Sequence, residues 1–118
     1  MKRILIADDE VNIRILFEAV LAEDGYQTVA VATGREAVRK ILKEDYDLII
    51  LDIKMPDLNG LEVVEKIREL KKTTPVIICS AFKHLEDDYV IKSGAVSAYL
   101  TKPVNLAEMR ATVKELLG

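Results

Sequence analysis

The stretch Asp47-Leu48-Ile49-Ile50-Leu51-Asp52-Ile53-Lys54-Met55-Pro56-Asp57-Leu58-Asn59-Gly60 decides the fold. Leu48 to Leu51 are four consecutive apolar residues, the length of a short strand. An unbroken apolar run bounded by charge and turn residues suits a strand covered on both faces, as in a parallel sheet. The run ends on the carboxylate of Asp52, turn signals follow at Pro56 and Asn59-Gly60, and a helical pattern begins. The carboxyl end of a buried strand is where open α/β sheets place their ligand crevice. An aspartate there can also do no more than return the chain to water, so its neighbours in space decide its meaning.

The same alternation runs through the whole chain. Strand-like runs occur at Arg3–Ala7, Gln27–Val31, Leu48–Leu51, Val76–Cys79 and Ala98–Thr101. Helical patterns lie between and after them. The first spans Val11–Ala22 on Ile13, Phe17, Val20 and Leu21, with Gly25 as its stop. The second spans Arg35–Lys43 with Ala37, Ile41 and Leu42 inward, and the third Leu61–Lys71 on Leu61, Val64, Ile67 and Leu70. A short fourth pattern lies near Glu86–Ser93. The fifth opens with Asn105 and Glu108 at capping-box spacing and carries Leu106, Met109, Val113 and Leu116 on one face. Strands that alternate with helices imply a parallel sheet with helices on both sides, joined by right-handed crossovers. Pattern alone leaves the strand order open.

Composition narrows the function classes. At 118 residues with half of them hydrophobic, the chain is expected to form a single domain over residues 1–118 with no output domain. The net charge of −3 and scattered Lys and Arg give no footprint for nucleic acid or an anionic membrane as a direct partner. The lone Cys79 excludes an internal disulfide, lies in an apolar run as an inert thiol would, and suits a reducing compartment. The apolar run at Ile4–Ala7 is too short for a signal peptide or membrane span, so the chain reads as cytoplasmic.

In a parallel sheet the carboxyl ends of the strands share one edge. Here they carry Asp8-Asp9, Asp52, Ser80 and Thr101-Lys102. With the first and third strands as neighbours, three carboxylates converge. Two unit charges about 4 Å apart repel by roughly 4 kcal/mol at an effective dielectric near 20, so such a cluster calls for a counter-charge. A hard divalent cation supplies one, and Mg²⁺ suits carboxylates, waters and phosphate oxygens. Each residue alone has a plainer reading: Asp9 as a helix cap, Asp8 as a turn residue, Ser80 as a strand-end hydroxyl, Lys102 as a surface charge. With Asp52 counted among them, such coincidences at four strand ends are harder to accept. The set offers a carboxylate nucleophile, a metal cluster, a hydroxyl and a lysine, without a P-loop, a GxGxxG loop or a GxSxG elbow. It suits phosphoryl transfer to a carboxylate.

Asp8-Asp9, Asp52 with Met55-Pro56 and Gly60, Ser80-Ala81 and Lys102-Pro103 together resemble the receiver domain of two-component response regulators. The resemblance covers the whole chain. Ile13, Arg14 and Leu16, Gly25-Tyr26-Gln27-Thr28 and Lys54 are similar to the single-domain receiver of the sporulation phosphorelay. The resemblance implies a flavodoxin-like (βα)5 fold with a five-stranded parallel sheet in the order 2-1-3-4-5; that order is the one general knowledge of chemotaxis receivers already supplies. It implies that Asp52 accepts a phosphoryl group from a phosphohistidine of a sensor kinase or histidine phosphotransfer protein. Asp9, Asp52 and the backbone carbonyl of Lys54 would bind Mg²⁺ or Mn²⁺, with Asp8 holding a coordinated water. Ser80 and Lys102 would contact phosphoryl oxygens, and the Lys102-Pro103 bond would be cis. Phosphorylation would draw Ser80 inward and let Tyr99 rotate, moving the face made by the fourth helical pattern, the fifth strand and the fifth helical pattern. That face is a possible homodimer surface. The implied role is signalling, with no reaction catalysed beyond the chain's own phosphorylation and dephosphorylation.

Some finer readings attach to this resemblance. Serine at position 80, where the family often has threonine, keeps the hydroxyl without β-branching, which makes for a softer switch. Phe82 and Lys54 flank the site and would exclude water, favouring a long-lived phosphoaspartate. Val11, Ile15 and Leu16 exceed what one core stripe needs and, with Pro56 and Phe82, are candidates for docking a helical partner. His84 has no metal-ligand companions and reads as a loop residue. Two rivals stand against the phosphoacceptor reading. A phosphorylation-independent interaction module is disfavoured by the intact Asp9, Asp52 and Lys102. A metal-dependent phosphatase is disfavoured by Lys54 standing where a second catalytic carboxylate would lie.

Overall fold

The computed structural model describes residues 1–81 and 93–118. The sequence-based helix near Glu86–Ser93 and the positions of Phe82 and His84 fall outside the described residues, apart from Ser93. In chain order the elements are β1 (Arg3–Ala7), α1 (Val11–Glu23), β2 (Gln27–Val31), α2 (Gly34–Lys43), β3 (Leu48–Asp52), α3 (Gly60–Glu69), β4 (Val76–Ser80), β5 (Ala98–Thr101) and α4 (Leu106–Leu117). All strand pairings are parallel, and the order is β2-β1-β3-β4-β5. The chain therefore has the flavodoxin-like architecture, with β1 beside β3 as the charge convergence required. Among the described residues no helix is long and apolar enough to cross a membrane.

Strand alternation divides the core in two. Leu5, Ala7, Ile49, Leu51, Val76 and Ile78 face α2 and α3, meeting Ala37, Ile41, Val63, Val64 and Ile67. Ile4, Ile6, Leu48, Ile50, Ile77, Cys79 and Leu100 face the other way, onto Phe17 and Leu21 of α1 and Met109 and Val113 of α4. Burial on both faces is why β3 and β4 read as unbroken apolar runs, and each such side chain contributes roughly 1.5–3 kcal/mol. The Cys79 thiol is free and buried, and burial pushes it up to about 12, which fits the inert role.

The helix ends follow local chemistry. Gly25 takes φ +91° just past α1, where its N–H and that of Tyr26 bond back to Ala22 and Leu21. Asn59 and Glu62 form a reciprocal capping box at the start of α3, a role beyond the turn signal read from Asn59-Gly60. At Asn105 the side chain accepts from the Glu108 N–H at 2.9 Å. Two inward assignments are corrected. The buried stripe of α2 is Gly34, Ala37 and Ile41, so Leu42, one residue on and about 100° round the helix, is exposed. Leu70 is exposed because α3 stops at Glu69 and the chain turns at Lys71, φ +61°; Val63 shares the inner face instead.

Gly60 fixes where α3 starts. A Cβ there would sit 2.5 Å from the Asp52 carbonyl oxygen and 3.2 Å from the Ile53 Cα, both backbone atoms at the buried end of β3. Gly60→Ala is expected to lower stability by about 1–3 kcal/mol in a denaturant titration, the range for overpacking against a site that cannot yield.

Candidate functional site

The sheet register builds the site. Ala7 pairs with Leu51, so the next residues, Asp8 and Asp52, emerge side by side at the carboxyl edge. Ser80 pairs with Thr101, and the Lys102 N–H donates to the Ser80 carbonyl at 2.7 Å, placing Lys102 at the same edge. The Lys102-Pro103 bond is cis. Lys102 Nζ lies 3.1 Å from Asp8 Oδ2, 3.2 Å from Asp52 Oδ2 and 4.0 Å from Glu10 Oε1. Asp8, Asp52 and Ser80 are the buried polar residues among those described.

A cleft of about 450 Å³ opens over this group, lined by Asp9, Glu10, Asp52, Lys54, Ser80, Ala81 and Lys102. Carboxylate oxygens of Asp8, Asp9 and Glu10 lie within 4.8 Å of one another. Three carboxylates stand within 4.0 Å of the Lys102 ammonium and that of Asp9 lines the same cleft, leaving a surplus of negative charge. That all-oxygen, anionic donor set fits a hard divalent cation. The Lys54 N–H donates to Asp52 Oδ1 at 3.3 Å.

Burial, and then the charge of Asp8, pushes the Asp52 carboxyl above the usual carboxylate range; Lys102 pulls the other way without prevailing. Burial works against the Lys102 ammonium as well, but the hydrogen bond to Asp8 and the charges of Asp52 and Asp8 outweigh it and hold it above its ordinary value.

Asp9 is exposed and does not cap α1: the N-cap is Glu10, whose N–H is taken by Asp8 Oδ1 at 2.9 Å. Tyr99 is half-buried and packs against the α2–α3 side of the core. Val11, Ile15 and Leu16 are 54%, 62% and 42% exposed, so α1 does carry an apolar stripe the core leaves uncovered. Pro56 is exposed too. A second cleft, about 440 Å³, adjoins the first and is lined by Ile13, Leu16, Phe17, Pro103 and Val104, sharing Glu10, Ala81 and Lys102 with it. Two contributors escaped the sequence reading. Glu10 reaches the cluster through the turn into α1, one residue past the paired aspartates. Arg14 Nη1 donates to the Asp8 carbonyl at 2.8 Å, fixing the loop that carries the acids; Asp8 precedes the helix, so no periodicity in the sequence pointed to this contact.

An open parallel sheet that gathers acids around Lys102 at its carboxyl edge is an α/β arrangement with its crevice where such sheets place ligands and with donors that suit a hard cation. Residues 4–114 match the response regulator receiver domain family, and the chain belongs to that family of two-component signalling domains. It is 34% identical to sporulation initiation phosphotransferase F of Bacillus subtilis, over 98% of this chain and 94% of that protein. It is 36% identical to the transcriptional regulatory protein TcrA of Mycobacterium tuberculosis over 97% of this chain, which spans only 45% of TcrA. Among solved structures, the response regulator TrrA of Thermotoga maritima in complex with Mg²⁺ and BeF superposes with a TM-score of 0.91 at 44% identity, covering 99% of this chain and 100% of that one. TrrA in complex with the histidine kinase ThkA gives a TM-score of 0.88 at 43% identity, with both chains fully covered.

The upward push on Asp52 has a thermodynamic consequence. Its folded-state pKa lies above the unfolded value, so the ionised carboxylate costs stability above that range, and the cost disappears as pH falls through it. Asp52→Asn is expected to raise Tm by a few degrees at neutral pH in the absence of divalent cation. The gain should shrink as the pH is lowered, and a gain that grew with acidity would contradict the assignment.

Proposed function

We propose that Asp52 accepts a phosphoryl group from a phosphohistidine of a sensor histidine kinase or histidine phosphotransfer protein in the cytoplasm, with Mg²⁺ or Mn²⁺ bound beside it. One observation carries the reading: a buried carboxylate opens on a cleft, touching the Lys102 ammonium, which also reaches Asp8 and Glu10. An Asp52 oxygen attacks phosphorus, the phosphorus–nitrogen bond breaks, and its electron pair stays on the imidazole. Asp9, Asp52 and the Lys54 backbone carbonyl would hold the cation, and Asp8 a coordinated water; Glu10 adds charge at the rim. Bound there, the cation would neutralise charge on the transferring oxygens. Lys102 exchanges its contact with Asp52 for a phosphoryl oxygen, and the Ser80 hydroxyl donates to another.

The transfer adds about −1.5 to −2 charges and three acceptor oxygens. Ser80 moving toward them would leave room for the half-buried Tyr99 to turn inward, altering the surface around β5 and α4. Because β5 is an edge strand, that surface also suits a homodimer. Lys54 is exposed at the rim, where with Phe82 it would screen the acyl phosphate from water and lengthen its life. The partner's helices would seat on Val11, Ile15 and Leu16 and the adjoining apolar cleft, bringing a histidine over Asp52. Pro56 and Phe82 complete this docking set.

Incubation with Mg²⁺ and acetyl phosphate or beryllofluoride is expected to modify the chain at Asp52, seen by mass or by fluorine NMR. Chelation with EDTA and Asp52→Ala should each abolish it. Modification that survives in Asp52→Ala would overturn the assignment. Ile15→Ala and Leu16→Ala should slow transfer from a phosphorylated histidine partner roughly tenfold, the scale of an interface hot spot, while labelling by acetyl phosphate is unchanged. Equal losses with both donors would place docking elsewhere.

A further inference from the structure

The cap of α2 is assembled from two parts of the chain. Thr33, its N-cap, accepts from the Glu36 N–H at 3.1 Å through its hydroxyl and from the Ala37 N–H at 3.1 Å through its carbonyl. The remaining two amides go to a residue far away in sequence: Gly34 N–H donates to Asp57 Oδ1 at 2.9 Å and Arg35 N–H to Asp57 Oδ2 at 3.1 Å. Asp57 Oδ1 also takes the Leu58 N–H at 2.7 Å, and Arg35 Nε stands 3.8 Å from Oδ2. Amides at an exposed helix start can be satisfied by water. The borrowed carboxylate therefore does as much for the loop that lends it as for the helix.

That loop is the one leaving Asp52. At its base the Gly60 N–H returns to the Ile53 carbonyl at 3.0 Å, and Met55 is buried in the core. At its tip the strap to α2 is Asp57. The approach is close: a Cβ on Gly34 would lie 2.5 Å from the Leu58 carbonyl oxygen and 2.6 Å from its Cβ, so glycine is what lets helix and loop touch. Lys54 lies between the two anchors. Its side chain is exposed, and its N–H touches Asp52 Oδ1 only at 3.3 Å, so the orientation of its carbonyl depends on the loop around it.

We propose that Asp57 is a positioning residue for the cation site, strapping the acceptor loop to the start of α2 and so fixing the Lys54 carbonyl. The inference rests on the phosphoacceptor reading. Loss of a partner that orients a metal ligand weakens affinity on the order of tenfold or more. Asp57→Ala removes both acceptors of the strap. Asp57→Asn keeps one acceptor oxygen, making it the milder variant should the first fold poorly. Thr33→Ala is the matching control, since it weakens the same helix start without touching the loop.

The experiment titrates each full chain with Mg²⁺ alone, following the Lys54 and Met55 amides by NMR, and separately measures acetyl phosphate labelling against Mg²⁺ concentration. In Asp57→Ala the half-saturating Mg²⁺ should rise on the order of tenfold in both measurements, with the maximal labelling rate preserved at saturating Mg²⁺. Asp57→Asn should fall between, and Thr33→Ala should lose thermal stability with its Mg²⁺ midpoint unmoved. Unshifted midpoints in both Asp57 variants, or a shift as large in Thr33→Ala, would overturn the proposal. A natural chain whose amides ignore Mg²⁺ would overturn the phosphoacceptor reading first, and this inference with it.

Discussion

The ammonium of Lys102 stands between Asp8 and Asp52 at 3.1 and 3.2 Å, and the open end of the sheet is arranged around what that contact has to balance. Parallel pairing of β1 with β3 forces the two carboxylates together, because the residues before them, Ala7 and Leu51, are partners in register. Two like charges about 4 Å apart repel by about 4 kcal/mol at an effective dielectric near 20, an amount comparable to one ion contact. One lysine can answer one of them. Asp9 and Glu10 then add charge at the rim, and the Asp52 carboxyl is left above its ordinary range. The site is an unbalanced electrostatic arrangement held in place by something else.

What holds it is the apolar sheet. β3 and β4 are buried along their whole length, and each face is sealed by a pair of helices. Breaking a buried ion pair is expensive, and an apolar replacement of the group is often as stable or more so. The charges therefore add nothing to folding that Leu or Met could not supply. Their retention makes sense only if their imbalance is used. Backbone contacts set the same priority: the Gly60 approach to Asp52 and the Arg14 bond to the Asp8 carbonyl fix main-chain positions around the acids.

Much of this was legible in the sequence, for a physical reason. A two-sided buried strand writes itself as an apolar run, and the first polar residue after it must sit at the sheet edge, so Asp8, Asp52, Ser80 and Lys102 could be placed together. Their order around the edge came from the family resemblance, since periodicity carries no information on which strands pair. Residues that act across long separations stayed hidden. Asp57 reads locally as a turn residue, because the amides it caps are 23 and 22 positions earlier. Glu10 follows two aspartates and looks like one more charge opening a helix. Leu42 and Leu70 misled because an apolar residue beside a stripe reads as part of it, and only helix phase and the turn at Lys71 turn them outward.

The same imbalance explains how a small chemical event could reach the surface of so rigid a fold. Moving a two-state element from 1:99 to 99:1 takes about 5.5 kcal/mol of differential interaction. Contacts among the apolar core side chains are non-directional and offer no such difference between two states. The site does. Lys102 already divides itself between two carboxylates, and a group carrying about −1.5 to −2 charges on Asp52 would take over the contact Lys102 makes with the Asp52 carboxylate. One redistributed contact at roughly 4 kcal/mol, with a hydroxyl bond from Ser80 at about 1–2 kcal/mol, is of the required size. Both residues belong to the ends of the strands nearest the half-buried Tyr99: Ser80 closes β4, and Lys102 follows β5 directly. A change in their partners would therefore be felt first at the sheet edge that carries Tyr99.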